Sequence, residues 1–344
     1  MHEGYARSLR TVQATTGLTW AERVRGSLLG GAVGDALGAG IEFDDLARIR
    51  AQHGPHGVTG MTRAYGVLGA ITDDTQMTLF TAEGLLRGQR GDAPVELWRA
   101  YSRWLSTQGF DPGRDAGERS GLVREPVLQA VRAPGNACLS GLRQPTMGTR
   151  SHPANPDSKG CGTVMRSAPF GWLGGPADQA WELAIDGAVL THGHPTGRFA
   201  AAAMAVLVHS LVNGAPLETA VEDVCGRLDA AGSGAAETLR ALQGALDAEG
   251  PLTPEAVERV GAGWIAEEAL AMAVYCGLQA PDAPSALLAA VNHSGDSDSV
   301  GAICGNLVGA AHGVDALPTE WLTALEDRPL LERVADEVVE AFWT

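Results

Sequence analysis

The sequence predicts an all-α fold, and three of its features support that prediction. Apolar residues recur three and four positions apart from one end of the chain to the other, the spacing that places them on one face of a helix. Runs of β-branched and aromatic residues with alternating polarity, which predict strands, are scarce. Aromatic residues make up only 5% of the chain whereas glycine occurs 45 times, a composition typical of helices that pack closely through small residues.

The first helix is predicted over residues 20–37, where apolar residues keep helical spacing. Each glycine inside it lowers helical propensity by about 1 kcal/mol, so this helix requires close tertiary packing to persist. Gly38 and Gly40 then permit a turn that places Glu42 over a site. The ordinary alternative for Glu42 is a surface carboxylate.

Later helices are predicted wherever the same spacing lies between breaks that contain glycine or proline. The predicted ranges are 75–87, 95–105, 123–131, 181–190, 197–212, 217–231, 235–248, 254–260, 265–278, 283–291, 300–312 and 321–342, the last interrupted near Pro329. The stretch from residue 110 to 159 is the least regular, because Gly, Pro, Arg and Asn dominate it. A loop-rich stretch of this length inside a compact domain is commonly functional.

The length of 344 residues allows one large domain or two smaller ones. No fixed-period repeat and no low-complexity linker divides the chain. We therefore expect a compact single-domain helical bundle over residues 19–344. Residues 1–18, in which polar and charged types follow no clear period, are expected to form a loose tail.

Charge and cysteine content exclude several classes of function. With Lys+Arg 25 against Asp+Glu 41, the net charge of −16 argues against a general nucleic-acid binder. The five cysteines lie far apart without CxxC spacing, which indicates neither a disulfide scaffold nor a zinc site and favours a reducing compartment. No uninterrupted apolar run has the length of a membrane span, and the N-terminus lacks a signal-peptide core. We expect a cytoplasmic monomer that acts away from membranes.

Two acidic clusters, residues 72–74 and 296–299, each precede a helical run of small and apolar residues. Such residues can simply cap a helix, by accepting hydrogen bonds from otherwise unpaired backbone N–H groups. One acceptor suffices for a cap, however, and each cluster holds two carboxylates whose mutual repulsion favours a bound cation. Because all the donors are hard oxygens, they suit Mg²⁺, Mn²⁺ or Ca²⁺. If the clusters converge, a magnesium-type hydrolytic centre lies between two helix N-termini.

A glycine-containing segment, residues 158–163, has the character of an anion-binding loop. Its glycines let the backbone approach a ligand, and Ser158, Lys159 and Thr163 supply further donors. The segment has neither the Walker nor the dinucleotide-binding pattern, and a glycine turn that merely starts a helix is the alternative. Downstream, His192 and His194 have no third nitrogen or sulfur ligand nearby, so a neutral, hydrogen-bonding His192 is favoured over zinc.

Five segments occur in an order that resembles a known family. They are residues 26–38, 72–76, 158–162, 191–192 and 294–305. This set resembles the ADP-ribosylglycohydrolase family over residues 20–315. The resemblance implies an all-α domain with a centre of two divalent ions, Mg²⁺ or Mn²⁺, that removes ADP-ribose from a modified side chain.

The resemblance also implies roles for individual residues. One ion would be held by Thr72, Asp73, Asp74 and Asp298, and the other by Asp296, Asp298 and Ser299, with Asp298 bridging the two. Asp73 or Asp74 would assist the attacking water. Glu42 falls where some members keep a mobile glutamate that closes over the site, and it would be the proton donor.

Substrate contacts are implied in the same way. The segment formed by Ser158, Lys159, Gly160, Cys161, Gly162 and Thr163 matches the diphosphate-binding loop of the family. His192 matches its ribose-contacting histidine. No motif fixes the aromatic residue that stacks on adenine, so Tyr101, Trp264 and Tyr275 are the candidates.

The favoured acceptor of the ADP-ribose is arginine, because residues 34–43 and 295–299 resemble the bacterial, arginine-directed branch of the family. A guanidinium leaving group also suits nearby carboxylates. The alternatives are hydrolysis of serine-linked ADP-ribose, O-acetyl-ADP-ribose or another small molecule, a metal-dependent phosphohydrolase, and a non-catalytic ADP-ribose-binding or immunity protein of the same fold. The expected partners are an ADP-ribosylated protein or small-molecule substrate, with ADP-ribose as the product.

Overall fold

The computed structural model describes residues 17–89, 91–114, 116–117 and 120–342. These residues contain sixteen α-helices, a few single 3₁₀ turns and one short hairpin, so the predicted all-α class is confirmed. The predicted loose tail at residues 1–18 lies almost entirely outside the described residues.

The helices follow one another along the chain with short connections. They are α1 (Trp20–Gly38), α2 (Leu46–His53), α3 (Asp73–Gly88), α4 (Ala93–Thr107), α5 (Asn136–Leu142), α6 (Ala168–Gly171), α7 (Ala177–Ala188), α8 (Pro195–Val212), α9 (Leu217–Ala231), α10 (Ala236–Asp247), α11 (Pro254–Val260), α12 (Ala266–Gln279), α13 (Ala283–Val291), α14 (Ser297–His312), α15 (Thr319–Ala324) and α16 (Arg328–Phe342). The antiparallel strands β1 (Arg63–Ala64) and β2 (Val67–Leu68) form the hairpin. The 3₁₀ turns are Gly121–Arg124, Pro126–Gln129, Cys161–Thr163, Ser233–Ala235 and Val314–Ala316.

The structure differs from the prediction in the short elements. Helices α2, α5 and α6 and the hairpin were not predicted; α2 buries only Leu46 and Ile49, too few apolar positions to show a period. The prediction of a helix at residues 123–131 was wrong, because two 3₁₀ turns occupy this region. Pro126 lacks the N–H that a continuous helix requires. The predicted break near Pro329 lies before it, at residues 325–327, because proline is well tolerated in the first turn of α16.

The centre of the fold is the antiparallel contact between α1 and α14, in which glycines face glycines. A Cβ atom at Gly34 would lie 1.9 Å from the carbonyl oxygen of Gly301, and one at Gly30 would lie 2.3 Å from that of Gly305. The two backbones therefore touch, which is the close packing that a glycine-rich helix requires. The contact also brings the end of α1 to the start of α14, since a Cβ atom at Gly38 would lie 2.5 Å from the Cα atom of Asp298.

One helix among the described residues, α8, is long and apolar enough to cross a membrane. Its mean hydropathy is 1.3 over 18 residues, but 72% of that window is buried inside the protein. Helix α8 packs against α7, α12 and α14. Its apolar composition is therefore that of a core helix, for which burial on nearly every side removes the need for a polar face.

Candidate metal centre

The second acidic cluster is held in place by contacts from two other segments. Asp296 is the N-cap of α14, where its Oδ1 accepts a hydrogen bond from the N–H of Ser299 at 3.3 Å. The Asp296 N–H donates to the carbonyl oxygen of Ala262 at 3.0 Å. Ser294 Oγ accepts a bond from the N–H of Leu46 at 2.8 Å. The loop before α14 therefore has a fixed path, and the two aspartates of the cluster start the helix.

The first acidic cluster is positioned by a buried residue of α1, Asp35. Its Oδ2 accepts a hydrogen bond from the Thr72 N–H at 2.9 Å and from Thr75 Oγ1 at 2.5 Å. Thr72 in turn caps α3, because its Oγ1 accepts from the Asp74 N–H at 3.3 Å. Asp73 Oδ2 accepts from the N–H of Gly135 at 3.1 Å. Asp35 was not predicted as a site residue, although an acidic residue in an otherwise apolar, glycine-rich helix was a signal for it.

The two clusters meet, and Glu42 joins them. Glu42, Asp296 and Asp298 each offer a carboxylate oxygen within 4.8 Å of the other two. Asp74 acts on this group through its charge. Burial and then the charge of Asp74 raise the pKa of Asp298 well above its usual range. Burial and the charges of Asp35 and Asp296 raise the pKa of Asp73 in the same way. The structure thus places carboxylates from α1, α3, α14 and the turn after α1 in one centre.

The carboxylates of this centre are almost completely withdrawn from solvent. Their exposed fractions are 8% for Glu42 and no more than 4% for Asp35, Asp73, Asp74, Asp296 and Asp298. Burial and the charges of Asp296 and Asp73 raise the pKa of Glu42 to about 9, and burial raises that of Asp35 to about 6. The ion pairs among the described residues use other carboxylates. None of these ion pairs therefore involves a carboxylate of the centre.

Two oxygens of the centre make the donor set suitable for a cation. Glu42 Oε2 and Asp74 Oδ2 are buried without a hydrogen-bond partner among the described residues. An unpaired buried polar atom is costly, and more so when it carries charge. A divalent ion held among these carboxylates would compensate their buried charge and offset their mutual repulsion, and hard carboxylate and hydroxyl donors are those that Mg²⁺ and Mn²⁺ prefer. The residues present therefore fit divalent ions of this type.

The glycine-containing segment, residues 158–163, lies beside the acidic centre. The Cys161 N–H donates to the carbonyl oxygen of Trp264 at 3.1 Å, and the Ala266 N–H donates to that of Lys159 at 2.8 Å. These bonds attach the segment to the start of α12. Cys161 also reaches the centre itself, because its Sγ donates a hydrogen bond to Asp296 Oδ2 at 2.8 Å.

Two of the side chains predicted as phosphate donors are engaged within the protein. Lys159 Nζ forms ion pairs with Glu237, at 2.7 Å, and with Glu267. Thr163 Oγ1 donates to the carbonyl oxygen of Gly197 at 3.1 Å. An anionic ligand would have to compete with two glutamates for Lys159.

His192 packs directly against this segment. A Cβ atom at Gly160 or Gly162 would lie 3.3 Å from His192 Nε2, so glycine at these positions lets the imidazole approach the backbone. Its Nδ1 forms a 2.8 Å hydrogen bond with Thr191 Oγ1, to which the buried Arg166 donates at 2.6 Å. Burial and the charge of Arg166 lower the pKa of His192 to about 3, so the ring is neutral. Arg166, which orients this pair, was not singled out in the sequence.

The structure separates the three aromatic candidates for ligand stacking. Tyr101 and Tyr275 are core residues with exposed fractions of 0% and 1%, so neither presents a ring to a ligand. Trp264 is 43% exposed, and its ring stacks on that of Phe43 with centroids 5.9 Å apart. Because Phe43 follows Glu42 directly, this aromatic pair lies at the rim of the acidic centre.

Several known proteins that are similar to this chain are described as ADP-ribosyl hydrolases. A family model described as ADP-ribosylglycohydrolase matches residues 16–344. The chain is 30% identical to the ADP-ribosyl-[dinitrogen reductase] glycohydrolase of Rhodospirillum rubrum, over 90% of this chain and 92% of that protein. It is 25% identical to ADP-ribosylhydrolase ARH3 of Danio rerio, over 88% and 86%, and 25% identical to ADP-ribosylarginine hydrolase Tri1 of Pseudomonas putida, over 93% and 78%. A solved structure described as an ADP-ribosylglycohydrolase-related protein complex is similar with a TM-score of 0.65 and 28% identity, covering 94% of this chain and 98% of that one.

Proposed function

The chain belongs to the ADP-ribosylglycohydrolase family and is a glycosidase-type ADP-ribosyl hydrolase, and we propose that it cleaves the N-glycosidic bond between ADP-ribose and an arginine side chain with the aid of two divalent ions, Mg²⁺ or Mn²⁺. The observation that carries this proposal is the buried centre in which Glu42 Oε2 and Asp74 Oδ2 have no hydrogen-bond partner in the part of the chain that the structure describes. The similarity to Tri1, whose name specifies arginine, favours arginine as the acceptor.

Six residues are proposed to hold the ions, namely Thr72, Asp73, Asp74, Asp296, Asp298 and Ser299. Glu42 lies beside them, with a carboxylate oxygen within 4.8 Å of one from Asp296 and one from Asp298. Asp298 is the best placed to serve both ions, because its carboxylate lies within 4.8 Å of those of Glu42 and Asp296 and is influenced by the charge of Asp74. When bound, the ions supply Lewis-acid stabilisation of developing charge and neutralise the clustered carboxylates.

The side chains of this chain account for the proton transfers of hydrolysis. The bond between the anomeric carbon and the arginine nitrogen breaks, and the oxygen of a water molecule bonds to that carbon through an oxocarbenium-like transition state. Asp74 Oδ2 accepts a proton from the water, and Glu42 Oε2 gives one to the leaving nitrogen. Neither oxygen forms a hydrogen bond with another described residue, so each is available for the transfer assigned to it.

Neighbouring residues would orient the substrate and exclude water. The neutral His192, fixed by Thr191 and packed against Gly160 and Gly162, can exchange hydrogen bonds with a ribose without attracting the metal-binding carboxylates. Trp264 presents an exposed ring at the rim, on which adenine would stack in exchange for Phe43. The acidic centre would receive the guanidinium of the acceptor, which pairs well with carboxylates.

The proposed function is tested with purified protein and two matched peptides, one ADP-ribosylated on arginine and one on serine. Each is incubated with Mg²⁺ or Mn²⁺ and separately with EDTA, and the products are identified by mass. We expect free ADP-ribose and unmodified peptide, formed faster from the arginine-linked substrate and not formed in EDTA. Addition of Mn²⁺ in excess of EDTA should restore release.

The other outcomes distinguish the alternatives. Faster release from the serine-linked peptide would show that the acceptor assignment is wrong while the hydrolase remains. Products that carry cleaved phosphates would indicate a phosphohydrolase. Retention of both labels by a protein that still binds ADP-ribose would support the non-catalytic alternative.

Glu42→Gln is expected to slow single-turnover release of ADP-ribose by about 10²–10⁴-fold, the usual contribution of a positioned acid or base. The amide keeps the size of the side chain but cannot give up a proton as the carboxyl group does. Because Glu42 lies on the turn after α1, outside the two acidic clusters, we expect Mn²⁺ affinity measured by calorimetry to change far less than turnover.

The same calorimetric measurement can contradict the role of Glu42 as proton donor. Its carboxylate is close enough to Asp296 and Asp298 to share an ion with them. A loss of Mn²⁺ affinity as large as the loss of turnover would identify Glu42 as a metal ligand and remove it as the proton donor.

A further inference from the structure

One side of the acidic centre presents sulfur instead of oxygen. Cys161 Sγ donates to Asp296 Oδ2 at 2.8 Å. The hydroxyl of Ser299 lies 3.6 Å from Cys161 Sγ and 4.0 Å from the thioether sulfur of Met165. A thiol and a thioether therefore flank two of the residues proposed to hold the second ion.

Hard and soft cations respond differently to such a site. Mg²⁺ and Mn²⁺ prefer oxygen donors and gain little from sulfur, whereas thiolate and thioether groups favour softer ions such as Zn²⁺. We propose that Cys161 makes the centre a binding site for thiophilic divalent ions, Zn²⁺ or Cd²⁺, which bind through Cys161 Sγ and Asp296 in place of the ion used for hydrolysis. This inference rests on the proposed metal centre and adds a second class of ligand to it.

Binding forms a metal–sulfur bond and breaks the bond between Cys161 Sγ and its proton. That proton, which is hydrogen-bonded to Asp296 Oδ2, is released to the solvent, as is usual when a thiol becomes a metal ligand. The Asp296 oxygen that accepted it is then free to bind the same ion. Exchange of the thiol proton for the ion therefore needs no rearrangement of the backbone.

The position of the thiol is fixed independently of the acidic centre. The Cys161 N–H is held by the Trp264 carbonyl oxygen at 3.1 Å, and its own carbonyl oxygen accepts from the Val164 N–H at 2.7 Å. Glu42 Oε2, which has no hydrogen-bond partner among the described residues and belongs to a residue only 8% exposed, is part of the same buried centre as Asp296. Cys161 Sγ, an Asp296 oxygen and Ser299 Oγ offer three ligands to a zinc ion, which usually takes four, and water can supply the fourth.

The remaining cysteines provide a control. Cys276 and Cys304 are buried in the core. Cys138 is also buried and lies against Gly162, 3.9 Å from its carbonyl oxygen, where burial and then the charges of Asp73 and Asp74 raise its pKa. Cys225, on α9, is partly exposed as Cys161 is. Cys225→Ser therefore removes a thiol of comparable accessibility outside the centre.

The experiment is a titration of the full-length, metal-free protein with Cd²⁺, followed by the ultraviolet thiolate-to-cadmium charge-transfer band. We expect the wild-type protein and Cys225→Ser to develop the band with the same affinity. Cys161→Ser should lose the band and bind Cd²⁺ at least about tenfold more weakly, since loss of even an indirect partner costs 10–100-fold at a metal site. A Cys161→Ser protein that keeps the band at wild-type affinity would overturn the proposal.

A parallel Mn²⁺ titration of the same three proteins separates this inference from the proposed hydrolytic centre. Mn²⁺ binding without any cadmium–thiolate band in the wild type would refute the role of Cys161 and leave the hydrolytic centre intact. A band that depends on Cys161 in a protein that binds no Mn²⁺ would support the soft-metal site and contradict the proposed hydrolytic centre. When both bind, excess Mn²⁺ should shift the Cd²⁺ titration to higher concentration, because the two ions share Asp296.

Discussion

Asp298→Asn is expected to remove both tight divalent-ion binding and release of ADP-ribose. The amide has the shape of the carboxylate but no charge, and Asp298 is the residue proposed to serve both ions. One substitution therefore weakens two coordination spheres. We expect Mn²⁺ affinity, measured by calorimetry, and turnover each to fall by at least about 100-fold. Loss of a group that only supports a metal ligand already costs about 10–100-fold, and loss of one group that stabilises the transition state costs about 10²–10³-fold.

Asp282→Asn is the matched control for this substitution. Asp282 caps α13 by accepting the N–H of Ser285 at 2.8 Å, it lies outside the acidic centre, and asparagine caps helices equally well. It should leave Mn²⁺ affinity and turnover unchanged. If Asp298 serves only to start α14, its amide variant should behave like that of Asp282, and wild-type Mn²⁺ affinity in Asp298→Asn would contradict the proposed centre.

The free energy of unfolding of Asp298→Asn without metal also distinguishes a metal-binding role of Asp298 from a capping role. Burial and the charges of Asp74 and Glu42 raise the pKa of Asp298, so its ionised form is disfavoured in the folded protein when no cation is bound. Removal of that charge should leave the free energy of unfolding in EDTA equal to or higher than that of the wild type. In Mn²⁺ the order should reverse, because only the wild type gains stability from tight ion binding.

The long helices were predictable from the sequence because their signals are local. Apolar spacing and the residues that begin and end a helix placed α1, α3 and α14 to within a few residues. Short elements were not predictable in this way. Helix α2 is held by contacts such as that from the Leu46 N–H to Ser294 Oγ, across 248 positions of the chain, and its own sequence carries little of that information.

The candidate site was also predictable only in its local features. Residue type predicted which side chains can bind a cation, since clustered carboxylates before helices are visible in the sequence. It did not predict their partners. Asp35 supports Thr72 and Thr75 from another helix, Cys161 reaches Asp296 across 135 positions, and Lys159 pairs with glutamates instead of remaining available to an anion. Such pairings are set by how the helices pack, and a single sequence does not record that packing.

The packing itself is tested by Gly34→Ala. A Cβ atom at this position would lie 1.9 Å from the carbonyl oxygen of Gly301 and 2.4 Å from its carbonyl carbon. These are backbone atoms that no rotamer change can move, so α1 and α14 must separate. We expect the free energy of unfolding, measured by denaturant titration in EDTA, to fall by about 3 kcal/mol or more, the upper range for overpacking, despite a gain of about 1 kcal/mol in helix propensity.

Gly244→Ala, in the interior of α10, makes the same chemical change in open space. Apart from its chain neighbours and the nearby backbone of its own helix, no atom of the described residues lies within 4 Å of the added Cβ. Only the gain in helix propensity therefore remains, and we expect stability to rise by about 0.5–1 kcal/mol. Gly34→Ala should also weaken Mn²⁺ binding, because separation of the helices moves Asp298 away from the end of α1. If both variants were stabilised alike and both bound Mn²⁺ as the wild type does, the glycine contact would not be what brings the acidic clusters together.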